Sequence, residues 1–287
     1  MSELRESGLI RLVPRLGRRG AWLLPPWAVL CGAVASTLLH PSPGDAVRLA
    51  MTILLVEGGW GTLWSALGAT DWATPLQQWR TWAGRRPTPL LPYARPGSPA
   101  ERIASWLSRF RSWWEEALLP SAGRALGAAL AGLVVSLLVA LALGPEIFLL
   151  TLGVLALMEL ALLTRRRQEG GLEEWDGVLR TGGPWLAGHL AFGPLTLPSA
   201  ALAGAFSLAV AGAGERNLRR SRPLWVGGQL LATPLLILLQ RPLAASLLGL
   251  LLIPQWLLLT RPAPSNPTRR YALLWLTTAM LLAAWAM

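Results

Sequence analysis

Apolar windows of 16–23 residues recur along the whole chain, at about 21–39, 47–69, 125–143, 147–163, 177–194, 198–213, 224–240, 243–260 and 270–287. A helix needs about 20 apolar residues to cross the hydrocarbon of a bilayer. Nine such windows leave little room for anything but a polytopic membrane protein; because the fifth begins polar, a count of eight also fits. In lipid every backbone amide must be satisfied internally, so spanning segments are helices or closed barrels, and helix-length windows predict an all-α bundle. Composition agrees: 53% of the 287 residues are hydrophobic and 14% charged, against roughly 25% charged in a soluble domain. The gaps after the third, fifth and seventh windows are a few residues long, which predicts tight helical hairpins. Pro145, Pro198, Pro223, Pro242 and Pro254 fall at or near window ends, where a missing amide donor does least harm. The chain reads as one membrane domain over 1–287, with a tail at 1–20 and one long segment at 70–124 outside the spans.

The formal net charge is +11, and all 26 basic residues are arginine. Arginine marks cytoplasmic loops. With the N-terminal tail inside, the tail and the segments 70–124, 164–180, 214–222 and 261–270 carry 24 of the 26, leaving Arg48 and Arg241 outside. The charge is therefore topological and suited to anionic lipid heads, and nucleic acid is not an expected partner. This reading places the chain in a bacterial cytoplasmic (inner) membrane, N-terminus cytoplasmic. Arg15, Arg18 and Arg19 before an apolar run resemble a signal peptide, but Pro25-Pro26 interrupts that run, which reads as a retained first span. Cys31 is the single cysteine; it excludes an intramolecular disulfide and a thiolate metal cage and suits a small core position.

Within 70–124, Ser98-Pro99-Ala100-Glu101 matches a capping box with proline at the first helical position. Ile103, Trp106, Leu107, Phe110, Trp113, Trp114 and Leu118 follow at helical spacing, with Arg102, Arg109 and Arg111 largely on other faces. This pattern predicts a helix lying in the cytoplasmic interface, its tryptophans at headgroup depth. A soluble helix packed on the loops is the alternative.

Ionisable groups inside the windows are few. Glu57 lies near the middle of the second, followed by Gly58, Gly59 and Gly61. A carboxylate there is expensive unless protonated or paired with an arginine or backbone donor, and the glycines permit close helix approach. Glu57 therefore reads as structural or cavity-lining. Glu159 sits near Arg165 and Arg166, a structural pairing. His189, beside Gly188 and Gly193, fits a satisfied core histidine better than a catalytic one, and His40 lies in an outside loop. No metal cluster, acyl-transfer triad or phosphate-cradling glycine loop stands in the sequence.

The arrangement of windows, a long cytoplasmic segment after the second and a basic one after the sixth resemble the UbiA prenyltransferase superfamily over nearly the whole chain. The stretches RRPTPLLPYARPGSPAER, LLTRRRQ, WLAGHLAFGPLTLPSAALAGAFSLAVAG and LLLIPQWLLL carry the likeness. These are intramembrane enzymes that join an isoprenoid diphosphate to an acceptor. The resemblance implies a UbiA-like bundle of about nine transmembrane helices with an interfacial helix in the 70–124 segment, and Mg²⁺ held by two aspartate-rich motifs. Laid on WSALGATDWA, the first motif puts Ser65 at its asparagine and Ala66, Ala69 and Ala73 at its three aspartates. Asp71 is out of register. The second falls on about Ala211, Glu215 and Arg219. Magnesium takes hard oxygen ligands, which methyl groups do not supply. Arg86, Arg165, Arg166, Arg216 and Arg219 suit a phosphate-like anion or lipid head, and Glu57, Asp71 and His189 are candidate cavity polar groups.

The sequence thus points to a catalytically silent relative, without cofactor or metal. Such a protein binds an isoprenoid, quinone or pigment-type lipid, or serves as a subunit or assembly factor of a membrane complex. An active transferase with a non-standard site stays open; it would need Mg²⁺ and acids among Asp71, Glu173, Glu174, Asp176 and Glu215. A small transporter unrelated to that family also stays open, with Glu57 and His189 on a water-filled path.

Overall fold

A computed structural model describes residues 24–37, 40, 42–70, 72–82, 97–164, 175, 177–214, 218–259 and 266–287. Among them every regular element is helical. The elements are α1 (Leu24–Ala35), α2 (Pro43–Ile53), α3 (Thr62–Ala69), α4 (Ala73–Thr81), α5 (Pro99–Trp113), α6 (Leu119–Leu143) and α7 (Pro145–Thr164). The chain continues with α8 (Gly183–Phe192), α9 (Leu197–Gly214), α10 (Leu218–Leu238), α11 (Pro242–Leu259) and α12 (Asn266–Trp285). Three π-helical stretches interrupt the series: π1 (Leu54–Gly61), π2 (Trp114–Leu118) and π3 (Val178–Gly182). Among the described residues, helix falls within each of the nine apolar windows. Three continuous runs, Pro43–Gly68, Pro99–Leu143 and Pro145–Leu162, are long and apolar enough to cross a membrane, and five further apolar helices are shorter.

The chain divides into two compact units. In the first, of which the description covers Leu63–Ala131, indoles supply the core. Trp113, Leu118 and Ala122 are buried against Trp72, Trp79, Trp82 and Trp114. Trp79 meets Trp106, Phe110 and Trp113 edge-on, the arrangement that the ring quadrupole favours. The buried indole N–H groups find acceptors: Trp113 donates to Pro75 O (3.0 Å) and Trp82 to Ser112 Oγ (2.9 Å). Arg109 lies 4.8 Å over the Trp79 ring and donates to its carbonyl (2.7 Å).

The apolar stripe of α5 is therefore divided, which corrects the expectation of one lipid-facing surface. Ile103, Trp106, Leu107 and Phe110 are exposed, whereas Trp113 and Leu118 are buried inside the unit. The helix also does not stop, continuing through π2 into α6. The capping box forms as the sequence predicts. Ser98 Oγ accepts from Glu101 N (3.2 Å), and the Glu101 carboxylate accepts from Gly97 N. Ser98→Ala should cost about 1 kcal/mol, read as faster amide exchange over residues 99–102 with exchange in α6 unchanged.

The second unit comprises Ile10–Thr62 and Gly132–Met287. Its packing order closes on itself: α1 lies against α12, α12 against α11, α11 against α10, α10 against α9, and α9 against π3, while α8 returns to α1. Trp185, Phe206, Trp225, Leu248, Leu276 and Met280 fill the interior together with Cys31. Trp185 and Phe206 stack with centroids 5.8 Å apart. The outside is apolar too; Leu141, Leu149, Leu238, Leu250 and Leu257 are all exposed. A helix that is hydrophobic all round belongs in a membrane or in a large protein core.

The α1–α8 crossing depends on two glycines. A Cβ on Gly32 would strike the Trp185 carbonyl, and one on Gly188 would strike that of Val29. Arg48, one of the two arginines left outside by the positive-inside count, donates to Ala191 O (3.1 Å) in the last turn of α8, where a cation complements the exposed carbonyls. Pro145 and Pro242 open helices as expected. Pro223 and Pro254 do not lie at ends; both are inside helices, as is Pro234. Near Pro254 the side chain of Gln255 donates back to Leu251 O (3.0 Å).

Candidate functional site

In the second unit, π1 and π3 interrupt the helices and carry buried polar side chains. A π-turn widens the helix by one residue and recurs at functional sites. Three glycines lie in π1. Gly59 permits contact with α6, since its Cβ would meet Ser136 Cα at 3.1 Å. At Gly61 a Cβ would meet Val56 O at 3.2 Å and Glu57 Oε2 at 3.8 Å, so the Glu57 carboxylate folds back beside its own helix. The widened turn also engages Thr62, whose hydroxyl donates to Glu57 O (3.5 Å).

Three atoms on these two stretches are buried without a hydrogen-bond partner: Glu57 Oε1, Trp60 Nε1 and Thr181 Oγ1. Trp60 is 1% exposed and Thr181 0%. Trp60 reaches the start of α8, because a Cβ on Gly183 would lie 3.4 Å from its ring. Arg180, in π3, is close enough for its charge to act on the Glu57 carboxylate. A buried polar group lacking a partner costs about 1–3 kcal/mol, so each of the three is a costly feature of these stretches. An indole N–H donates only, a threonine hydroxyl donates or accepts, and a carboxylate accepts.

Sequence reasoning singled out Glu57 but missed its surroundings. Arg180 stood among the cytoplasmic arginines, and Trp60 and Thr181 among apolar residues. The available signal was the glycine triplet after an intramembrane acid, which marks a helix approached closely from outside.

His189 is 1% exposed, and both its ring nitrogens are engaged. Nε2 lies 3.0 Å from Pro194 O, which can only accept, so Nε2 carries the proton. Nδ1 then accepts from Ser199 Oγ at 3.1 Å, and Ser199 in turn accepts from Trp185 Nε1 at 3.0 Å. Both ring nitrogens are thereby engaged, which makes His189 a buried strut with no nitrogen left for a cavity. A second buried network joins α10 to α11. Gln229 and Gln255 exchange reciprocal amide bonds (2.8 and 3.0 Å), and Trp225 Nε1 donates to Gln255 Oε1 (2.8 Å).

The positions of the first motif fall on two helices. Ala66 and Ala69 lie on α3, which ends at Ala69; Trp72 precedes α4, and Ala73 opens it. The three alanines therefore do not share one continuous helix. Ser65 is exposed and Ala66 buried in the first unit, and Ala211 is buried in the second. Asp71, Arg86, Arg165, Arg166, Glu215 and Arg216 lie outside the described residues, as do the side chains of Ala69, Ala73 and Arg219. Glu159 is exposed on α7, and the arginines expected to pair with it are among those outside. The residue types at the first motif do not fit Mg²⁺: one hydroxyl and three methyls offer no carboxylate oxygen. Among the described residues no group of three or more His, Cys, Asp or Glu could hold a metal ion.

These features define the chain only at the level of an all-helical protein with helices long and apolar enough to span a membrane. Comparison with family models, with curated proteins and with solved structures finds no match.

Proposed function

We propose that the chain is a catalytically silent, UbiA-like membrane protein that binds an isoprenoid-type lipid, such as a quinone or pigment tail, in its helical core. In this reading it spans a bacterial cytoplasmic membrane about nine times with its N-terminus inside, and it acts alone or as a subunit or assembly factor of a membrane complex. The observation that carries the reading is the group of unpartnered buried atoms on π1 and π3. In hydrocarbon such atoms are costly, and a lipid with a small polar head offers both the missing hydrogen bonds and an apolar tail for the leucine-rich surroundings. The locked state of His189 speaks for a packed core over a water-filled path. The methyl groups at the first motif speak against metal-assisted loss of diphosphate, where two cations must neutralise developing negative charge.

Gentle detergent extraction from the native membrane, followed by mass spectrometry of co-purifying lipids, tests this. The expected result is a near-stoichiometric isoprenoid lipid that Thr181→Val depletes severalfold. Only bulk phospholipid, in equal amount in both proteins, would overturn the reading.

A further inference from the structure

We propose that the exposed apolar face of α5 docks a protein partner that offers an apolar groove rimmed by carboxylates. The proposal rests on the membrane-complex half of the reading above and names the class of partner. Ile103, Trp106, Leu107 and Phe110 stand at i, i+3, i+4 and i+7, the spacing with which an amphipathic helix enters a groove. All four are exposed. The two rings are already fixed in place. Trp106 and Phe110 stack with centroids 5.6 Å apart, and Trp79 of α4 meets both edge-on. Side chains held in position before binding lose little freedom when a partner arrives, and tryptophan is enriched among the residues that dominate interfaces.

Position along the helix argues against lipid as the occupant. α5 runs on through π2 into α6 as one helix from Pro99 to Leu143, and across π2 the hydrogen bonding continues, Leu119 N donating to Trp114 O. The apolar stretch able to span begins after Arg124, which is exposed. At 1.5 Å per residue Phe110 lies about 21 Å before that arginine and Ile103 about 32 Å. The head-group layer is only about 5–8 Å deep on each side of a bilayer. Even a helix tilted by about 40° keeps Phe110 about 16 Å out. Apolar patches standing in water mark protein interaction sites. Charge then selects the partner. The four side chains cover an arc of about 100°, and Arg102 and Arg111, both exposed, border it on opposite edges. Arg111 pairs with Glu115 at 2.9 Å but keeps 73% of its side chain open. A second copy of the chain would set arginine edge against arginine edge, whereas Asp or Glu on the rim of a groove complements both.

The test places a photoreactive benzophenone side chain at Leu107, or at the exposed Ser105 off the stripe, in the full-length chain in its native membrane. Mass spectrometry then identifies what each position captures. The expected result is a protein adduct from position 107, severalfold weaker from 105, whose cross-linked peptide belongs to an apolar groove carrying Asp or Glu. Arg102→Glu should cut that adduct severalfold. A glutamate near the start of α5 suits the helix dipole, so the helix itself is not weakened, and Ser105→Glu should leave the yield unchanged. Replacing the groove's acid by arginine should restore the adduct of the Arg102→Glu protein, a rescue that a merely structural role of Arg102 would not show. Capture of phospholipid, capture of a second copy of the chain, or no capture at all would overturn the proposal. So would a protein adduct formed equally from both positions, or one indifferent to Arg102→Glu. Each of these leaves lipid binding in the core standing, and absence of a co-purifying isoprenoid lipid removes that binding without touching the groove adduct.

Discussion

Gly188→Ala should prevent stable assembly of the second unit, although it adds a single methyl group. A Cβ there would sit 2.8 Å from Val29 C and 2.9 Å from Val29 Cα, as well as striking the Val29 carbonyl oxygen. All three atoms belong to the α1 backbone, so no side-chain rotation relieves the clash. The reciprocal position is equally closed: a Cβ on Gly32 would meet Trp185 C at 2.8 Å and His189 N at 2.9 Å. Overpacking commonly costs about 1–3 kcal/mol, and an obstacle made of main chain belongs at or above the top of that range. Separating α1 from α8 would also disturb the bond of Arg48 to Ala191 and the His189 strut. The expected observation is loss of the monodisperse peak in detergent, or a large drop in thermal midpoint, for Gly188→Ala and Gly32→Ala alike. Gly249→Ala is the control. Its Cβ would meet nothing within 4 Å, and alanine in a helix gains about 0.5–1 kcal/mol over glycine. Equal behaviour of Gly188→Ala and Gly249→Ala would show that the crossing is looser than described.

Gln255→Leu should destabilise the protein more than Gln229→Leu, and the double substitution should cost less than the two singles added. Interhelical hydrogen bonds in membranes average only about 0.6 kcal/mol, which by itself would make either change mild. The difference lies in what each substitution strands. Removing Gln255 leaves Trp225 Nε1 and the whole Gln229 amide without their partners, in residues 1% and 0% exposed. Each orphaned group costs about 1–3 kcal/mol. Removing Gln229 is milder, because Gln255 retains Trp225 and Leu251 O. Leucine at both positions removes the orphaned amide and leaves only the indole. Reversible unfolding in mixed micelles over the double-mutant cycle measures the coupling. Simple additivity would contradict the picture of one shared network.

Much of the architecture was legible in the sequence. The apolar windows coincide with helices because hydrophobic length is a property of the chain itself. The cap at Ser98 formed because every element of it lies within four residues. Features set by partners distant in sequence were hidden. Trp113 and Trp114 share the spacing of Ile103 and Trp106, yet Trp113 is covered by Trp79 from another helix, and only the fold reveals which part of the stripe is covered. One helix ends at Ala69 and the next opens at Ala73, so Ala66, Ala69 and Ala73, evenly spaced in the sequence, do not share one cylinder. Pro223 and Pro254 were expected at ends because a proline weakens a helix, but both lie inside one. Of the core site, Glu57 was visible because an acid in an apolar run is rare, while Trp60 and Thr181 blend with their neighbours.

The three π-stretches also determine how the chain tolerates changes in length. Each is a phase-shifting insert: α-helical positions advance by about 100° per residue, so deleting one residue from 54–61 and letting the turn relax to ordinary α-geometry would rotate the sides presented beyond it by roughly that angle. Gly59 would turn away from Ser136, and Trp60 from Gly183. A one-residue deletion in this stretch should therefore be far more damaging than most substitutions within it.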